Sequence, residues 1–307
     1  MEVVICSIAK YENNYIREWV DYHLGIGFTK IYIHDNNEVN GEKISDVIDV
    51  NVYGDKVEII DVRGQKFIQK KVYNNFYKTY PFDWCAFIDI DEFITFSDKS
   101  LFDDIQEFLA DKQEFEALHL NWMCYGDNNK TRASLHGVLQ RFEKPISPVD
   151  FKFNYLFPEN NHIKSIIRCG LDIDWEYEGS SWSSNPHTPY GLKKISNAKV
   201  EKLRENSPFQ PYNFEVVYIR HYFTKTIEEY AVKIKRQCAD CQAEFYNYSK
   251  FYRANKLTLK KILVQNQIDD NKTNKNSLRQ CFHEYIKYYI TLNRLPVFLF
   301  LFKSLRK

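Results

Sequence analysis

Trp84-Cys85-Ala86-Phe87-Ile88-Asp89-Ile90-Asp91-Glu92-Phe93-Ile94 is an apolar, strand-like run that ends in three carboxylates. Side chains alternate faces along a strand, so a continuous strand puts Asp89 and Asp91 on one side with Ile90 packed behind them. Two carboxylates held side by side repel unless a cation lies between them, and oxygen ligands suit Mg²⁺ or Mn²⁺ better than zinc. Such an ion ordinarily keeps a phosphate among its ligands. A bare Asp-x-Asp also reads as a solvated loop; the buried lead-in strand favours a site.

Upstream, Glu2 to Ile8 reads as a short apolar strand with no secretory-type segment before it, so this strand is expected to open the mature chain. Ile16, Trp19, Val20, His23 and Leu24 then fall at helical spacing, with Gly25 and Gly27 as the stop. A second apolar strand, Lys30 to His34, runs into the polar cluster Asp35-Asn36-Asn37. Strand, loop, helix, strand is the opening of a doubly wound α/β sheet. Ligands of such sheets lie beyond the carboxyl ends of the strands, which brings Ala9 to Glu12, Asp35 and Asp89 to Glu92 to one crevice. Ile68, Val72 and Phe76 predict a helix before the acidic run, Leu101, Ile105, Phe108 and Leu109 another after it, and Ala117 to Trp122 a further strand.

Four ordered segments carry a family resemblance: Lys10-Tyr11-Glu12 through Asp35-Asn36; Gln69-Lys70-Lys71-Val72-Tyr73-Asn74; Phe87 to Phe93; and Arg220-His221-Tyr222-Phe223-Thr224-Lys225 with Glu228-Glu229-Tyr230. Over roughly residues 1–240 the chain resembles GT-A glycosyltransferases of the family 2 and family 92 group. Tyr11 stands where that group usually has Asn. The resemblance implies a mostly parallel central sheet flanked by helices, with a nucleotide-sugar half over 1–125 and an acceptor half over 126–240; beyond it, Leu278, Phe282, Tyr285, Tyr289 and Leu292 fall at helical spacing and predict a helical extension over 241–307. It implies transfer of a sugar from a nucleotide diphosphate, a UDP-sugar, with Mn²⁺ or Mg²⁺ gripping the phosphates. Asp91 would be the direct metal ligand and Asp89 would face the ribose or a metal-bound water. Asp35 would read the base, Ala9, Glu12, Gln69 and Asn74 would border the nucleotide, and His221 would complete the metal shell or touch the diphosphate. Asp35 also reads as a carboxylate capping backbone N–H groups, and His221 as a structural histidine, with His187 as its competitor.

An inverting transferase needs a base for the acceptor hydroxyl. Asp127 is the favoured candidate beside Asp174, Glu176 and Glu178, although a turn aspartate after Gly126 reads equally well. From Pro145 to Pro211 the pattern is irregular, the mark of loops that bind; Trp175, Tyr177, Trp182 and Tyr190 are candidates to stack on an acceptor sugar or to pack in the core. Lys225, Lys233, Lys235 and Arg236 would neutralise phosphate or form a solvated helix face.

A formal net charge of +1 supplies no field for binding nucleic acid. Seven cysteines, an odd number, predict reduced thiols in the cytoplasm, and Cys238-Ala239-Asp240-Cys241 reads as two core cysteines on a helix rather than half a zinc site. The end of the chain, Leu295 to Phe302 with Lys303, Arg306 and Lys307, is far short of the roughly 20 residues that span a bilayer. It reads either as an interfacial segment at the inner face of the plasma membrane, suited to a lipid-linked glycan, or as a surface packed into the core or a homodimer. Two functions follow: a metal-dependent glycosyltransferase of capsule or lipopolysaccharide synthesis, or a glycan- or nucleotide-binding protein of the same fold without turnover.

Overall fold

The computed structural model describes residues 1–146, 158–179, 185–198, 203–236, 246, 250–251 and 254–255. Strand β1 (Val3–Ala9) is buried on both faces, as its unbroken apolar sequence requires. Its alternate residues enter opposite layers: Val3 and Ile5 pack with Ile16, Trp19 and Val20 of helix α1 (Ile16–Gly25), while Val4 and Cys6 pack on the other side. Gly27, at φ +95°, lets the chain leave α1 in the left-handed region, where a side chain would collide with Asp104. Strand β2 (Lys30–Asp35) pairs parallel with β1, and after the short helix α2 (Val50–Tyr53) strand β3 (Val57–Asp61) pairs parallel with β2. Helix α3 (Gln69–Thr79) lays Val72, Tyr73 and Phe76 on the face opposite α1. Strand β4 (Trp84–Phe87) then joins the other edge of β1, giving the parallel order β3-β2-β1-β4. The expected α/β architecture is present.

The acidic run is not one strand. Strand β4 stops at Phe87, residues 88–91 turn, and strand β5 (Glu92–Phe96) starts afresh. The turn is closed by Glu92 N–H donating to Asp89 O at 3.1 Å and by Asp89 N–H donating to Glu92 Oε2 at 2.9 Å. Strand alternation therefore does not apply to Asp89 and Asp91, whose side chains go to different partners. Helix α1 holds β5 through Trp19, whose indole N–H donates to Glu92 O at 2.7 Å, and through His23. The His23 Nδ1–H donates to Trp19 O at 2.8 Å, leaving Nε2 to accept from Ile94 N at 3.3 Å. Burial pushes the pKa of this ring down to about 3, which keeps that neutral tautomer.

Asp104 caps helix α4 (Ile105–Ala110), which begins later than the spacing of Leu101 suggested because the Asp104 carboxylate takes the first free N–H groups. Strand β6 (Ala117–Cys124) and the short helix α5 (Val138–Arg141) follow. The region read as irregular contributes a central strand, β7 (Ile163–Arg168), antiparallel to both β4 and β6. The two-residue strand β8 (Ile195–Ser196) and strand β9 (Val217–His221) each run parallel to β6, and β9 pairs antiparallel with β5. One sheet thus continues across residue 125. Thr226 and Glu229 form the predicted capping box of helix α6 (Ile227–Arg236). Cys238, Cys241, Trp182 and the 295–307 segment lie outside the described residues, as does nearly all of the 241–307 extension. Among the described residues no helix is long and apolar enough to cross a membrane.

Candidate active site

The β4–β5 turn places Asp91 where β9 and α6 meet. Asp91 is only 4% exposed; its Oδ2 accepts from Lys233 Nζ at 2.6 Å and its Oδ1 faces His221 Nε2 at 3.6 Å. Burial alone would raise the Asp91 pKa, but Lys233, then His221 and Lys225, hold it well below the ordinary carboxylate range. His221 ends β9 beside Glu92 and packs its ring 4.1 Å from that of Trp122. Burial lowers the His221 pKa against the pull of Asp91, so its imidazole is neutral at neutral pH and offers a lone pair.

Asp89 points elsewhere. Its Oδ1 accepts from Gln69 Nε2 at 2.9 Å and its Oδ2 lies 3.0 Å from Lys164 Nζ. Lys164, on β7, is 1% exposed; burial alone would discharge it, yet Asp89 and Glu92 hold its pKa above the usual lysine value. Glu92 is the contrary case: burial first, and then Asp89 and Asp91, push its pKa well above the ordinary carboxylate value against the pull of Lys164, which favours its protonated form.

The loop after β1 supplies the opposite wall. Buried Glu12 accepts from Arg236 at 2.6 Å through Oε1, while Oε2 lies 3.6 Å from Lys225 Nζ and has no hydrogen-bond partner. Arg236 also donates to Lys10 O at 2.7 Å. Tyr11 is left-handed (φ 56°), with its N–H donating to Asn37 Oδ1 at 2.7 Å. Between this loop and α6 opens a cavity of about 800 Å³ including its mouth, lined by Tyr11, Glu12, Tyr15, Lys225, Lys233 and Arg236 among others.

Glu12 thus follows the carboxyl end of β1, Asp89 and Asp91 follow that of β4, and His221 ends β9 beside Asp91. Ala9 ends β1 in register with Asp35. Asp35 spends both carboxylate oxygens on backbone: Oδ1 accepts from Asn37 N at 3.0 Å and Oδ2 from Ile44 N at 2.9 Å. That is the capping arrangement, although Asp35 also borders a second cavity with Lys43, Asp61 and Arg63. Gln69 meets Asp89 rather than open space. Asn74 is a correction: its amide donates to Asp174 Oδ1 at 2.8 Å and accepts from Trp175 N at 3.0 Å, so both ends fasten the 174–176 segment to α3. Trp175 takes the packing alternative: it is buried between Tyr73 and Phe87, with ring centroids 5.1 and 4.9 Å away, and belongs to the core. Tyr177 and Tyr190 stack on each other at 3.8 Å. Asp127 accepts from Asn129 N at 2.9 Å through Oδ1, closing a turn. His187 is fixed by Ile163 O at 2.9 Å. Lys235 faces solvent, whereas Lys233 and Arg236 turn inward.

Sequence reasoning missed Lys164. Its signal was a lone lysine inside the apolar run Ile163 to Ile167, which can be buried only against an anion. Among the described residues no three His, Cys, Asp or Glu side chains form a ready metal cage. Asp91 Oδ1 and neutral His221 Nε2, a hard oxygen and an imidazole facing each other, do suit Mn²⁺ or Mg²⁺ as a pair whose remaining ligands are phosphate and water.

The profile of glycosyltransferase family 92 matches residues 1–238, which carry every group just described. The chain belongs to glycosyltransferase family 92. A family 92 protein of rice (Oryza sativa subsp. japonica, Os08g0121900) is 24% identical over 136 residues, covering 44% of this chain and 23% of that protein. The chain thus spans about a quarter of the length of that relative. Among solved structures, S. aureus TarS 1–349 in complex with UDP-GlcNAc is 12% identical over 95% of this chain and 73% of its own, with a TM-score of 0.40. The apo form of GlyE from Streptococcus pneumoniae TIGR4 is 16% identical over 41% and 29%, with a TM-score of 0.24.

Proposed function

We propose that this family 92 chain transfers a sugar, with inversion, from a UDP-sugar to a glycan or lipid-linked glycan in the synthesis of a cell-surface polysaccharide. The observation that carries the reading is buried, ionised Asp91 facing neutral His221 across 3.6 Å at the carboxyl ends of the strands. Those two atoms would hold the divalent ion, which when bound acts as a Lewis acid toward the charge growing on the leaving diphosphate. Asp89, held by Gln69 and Lys164, would face the donor's ribose. Glu12 and the loop after β1 border the nucleotide. A place at the inner face of the plasma membrane rests on the composition of residues 295–307 alone.

Nucleotide sugars screened for hydrolysis and for protection against thermal unfolding, with Mn²⁺ and with EDTA, test the reading, since a ligand bound only by the folded state raises its stability. A UDP-sugar should be hydrolysed only with the metal present. Absence of both protection and hydrolysis across the panel would refute it. Asn closes the same kind of turn as Asp, so Asp127→Asn separates a base, whose loss stops turnover, from a turn residue, whose loss does not.

A further inference from the structure

Helix α6 carries Lys233 and Arg236 three residues apart, hence on one face, and Lys225 precedes it on the same wall of the cavity. All three reach carboxylates contributed by the nucleotide half: Lys233 to Asp91 at 2.6 Å, Arg236 to Glu12 at 2.6 Å and Lys225 to Glu12 at 3.6 Å. Replacing such buried pairs by apolar side chains is often neutral or stabilising, so stability alone does not account for two of them side by side. Lys225 and Arg236 moreover share the single carboxylate of Glu12. The Glu12 oxygen nearer Lys225 has no hydrogen-bond partner, and Glu12, Lys225, Lys233 and Arg236 all line the cavity.

We propose that Lys225, Lys233 and Arg236 form the anion-binding wall of the donor pocket. A diphosphate entering the cavity takes Glu12 and Asp91 as rivals for the same N–H donors, and α6 is the element that senses its charge. The inference rests on the nucleotide-sugar reading but needs no metal, and it assigns the α6 cations to donor phosphate rather than to a structural latch.

The test is calorimetric titration in EDTA with UDP, uridine and inorganic pyrophosphate on the wild-type chain and on two paired variants, Asp91→Asn/Lys233→Gln and Glu12→Gln/Arg236→Gln. Pairing the changes avoids leaving a buried charge without its partner. In the wild type UDP should bind at least about tenfold more tightly than uridine, as charge-assisted hydrogen bonds to phosphate predict. Each paired variant should lose roughly tenfold or more of that preference for UDP over uridine. Loss of UDP binding with pyrophosphate still held by the wild type would overturn the nucleotide reading and keep the anion wall. Failure of the wild type to bind either one, or paired variants that keep its UDP and pyrophosphate affinities, would overturn the anion wall itself; the wild-type arm decides even if a variant does not fold.

Discussion

Asp91 Oδ2 and Lys233 Nζ lie 2.6 Å apart in a buried ion pair that ties the β4–β5 turn to α6 across 142 residues of chain. The pair makes Asp91 serve two ends at once: Oδ2 answers α6 and Oδ1 answers His221. The proposed metal-binding role of Asp91 is therefore coupled to stability, and substitutions there must be read with both in view.

Asp91→Ala is expected to abolish metal-dependent transfer and also to cost about 3–5 kcal/mol of stability, because it strands the Lys233 ammonium in a buried site. Asp91→Asn with Lys233→Met should recover most of the thermal stability and none of the transfer. Thermal unfolding and turnover measured on both variants separate the two effects; near wild-type turnover in Asp91→Ala would end the assignment of Asp91 to the metal.

Glu92→Gln is expected to stabilise the protein above neutral pH. The folded-state pKa of Glu92 is raised, so the native state holds a proton that the unfolded chain has released once pH exceeds its ordinary value near 4.5. The stability from this group is present below that value and is lost as pH rises, at about 1.4 kcal/mol per pH unit until the folded pKa is passed. Removing the carboxylic acid should flatten that arm of the curve. Unfolding midpoints at pH 5 and pH 8 check it: the gain from Glu92→Gln must be larger at pH 8.

His23 and His119, both pushed down to about 3 by burial, act with the opposite sign. Below about pH 6.5 the unfolded chain binds protons that the native rings refuse, so each withdraws about 1.4 kcal/mol per pH unit down to pH 3. Acid unfolding should therefore be steep over that window, and His119→Gln should shift its midpoint to lower pH. An unchanged midpoint would show that His119 does not drive the transition.

Much of this was legible in the sequence because burial on both faces leaves an unbroken apolar run, as in β1 and β2, and because α1 and α3 keep the helical period. The β4–β5 turn was not legible. Ile88 and Ile90 continue the apolar alternation through the turn, and what breaks it is a hydrogen bond from Asp89 N–H to the side chain of Glu92, which no periodicity reports. Strand β7 was hidden for a related reason: Lys164 and Ser165 interrupt its apolar pattern, and the Asp89 carboxylate 3.0 Å away makes a buried lysine admissible there. Asp35 and Asn74 kept the residue types of a binding site while their oxygens and amides were taken by neighbouring loops, a distinction that lies in three-dimensional geometry.

The attachment of α6 gives the last prediction. Glu229, in the first turn of the helix, accepts from both terminal nitrogens of Arg141 at 2.7 and 3.0 Å, from Tyr15 OH at 2.8 Å and from Thr226 N at 3.0 Å. Arg141 is held in turn by α5, so these bonds fasten the start of α6 to α1 and α5 and thereby aim Lys233 and Arg236 at the cavity. A buried charged pair with this many hydrogen bonds is destabilising when only one partner is removed, by about 3–5 kcal/mol. Arg141→Met should therefore loosen α6 before it unfolds the sheet, since the helix has few other buried side chains to hold it. Hydrogen exchange should accelerate in residues 227–236 while β1 and β4 remain protected, and UDP affinity should fall together with it. Uniform acceleration across the sheet would show instead that Arg141 and Glu229 support the whole domain rather than the aim of one helix.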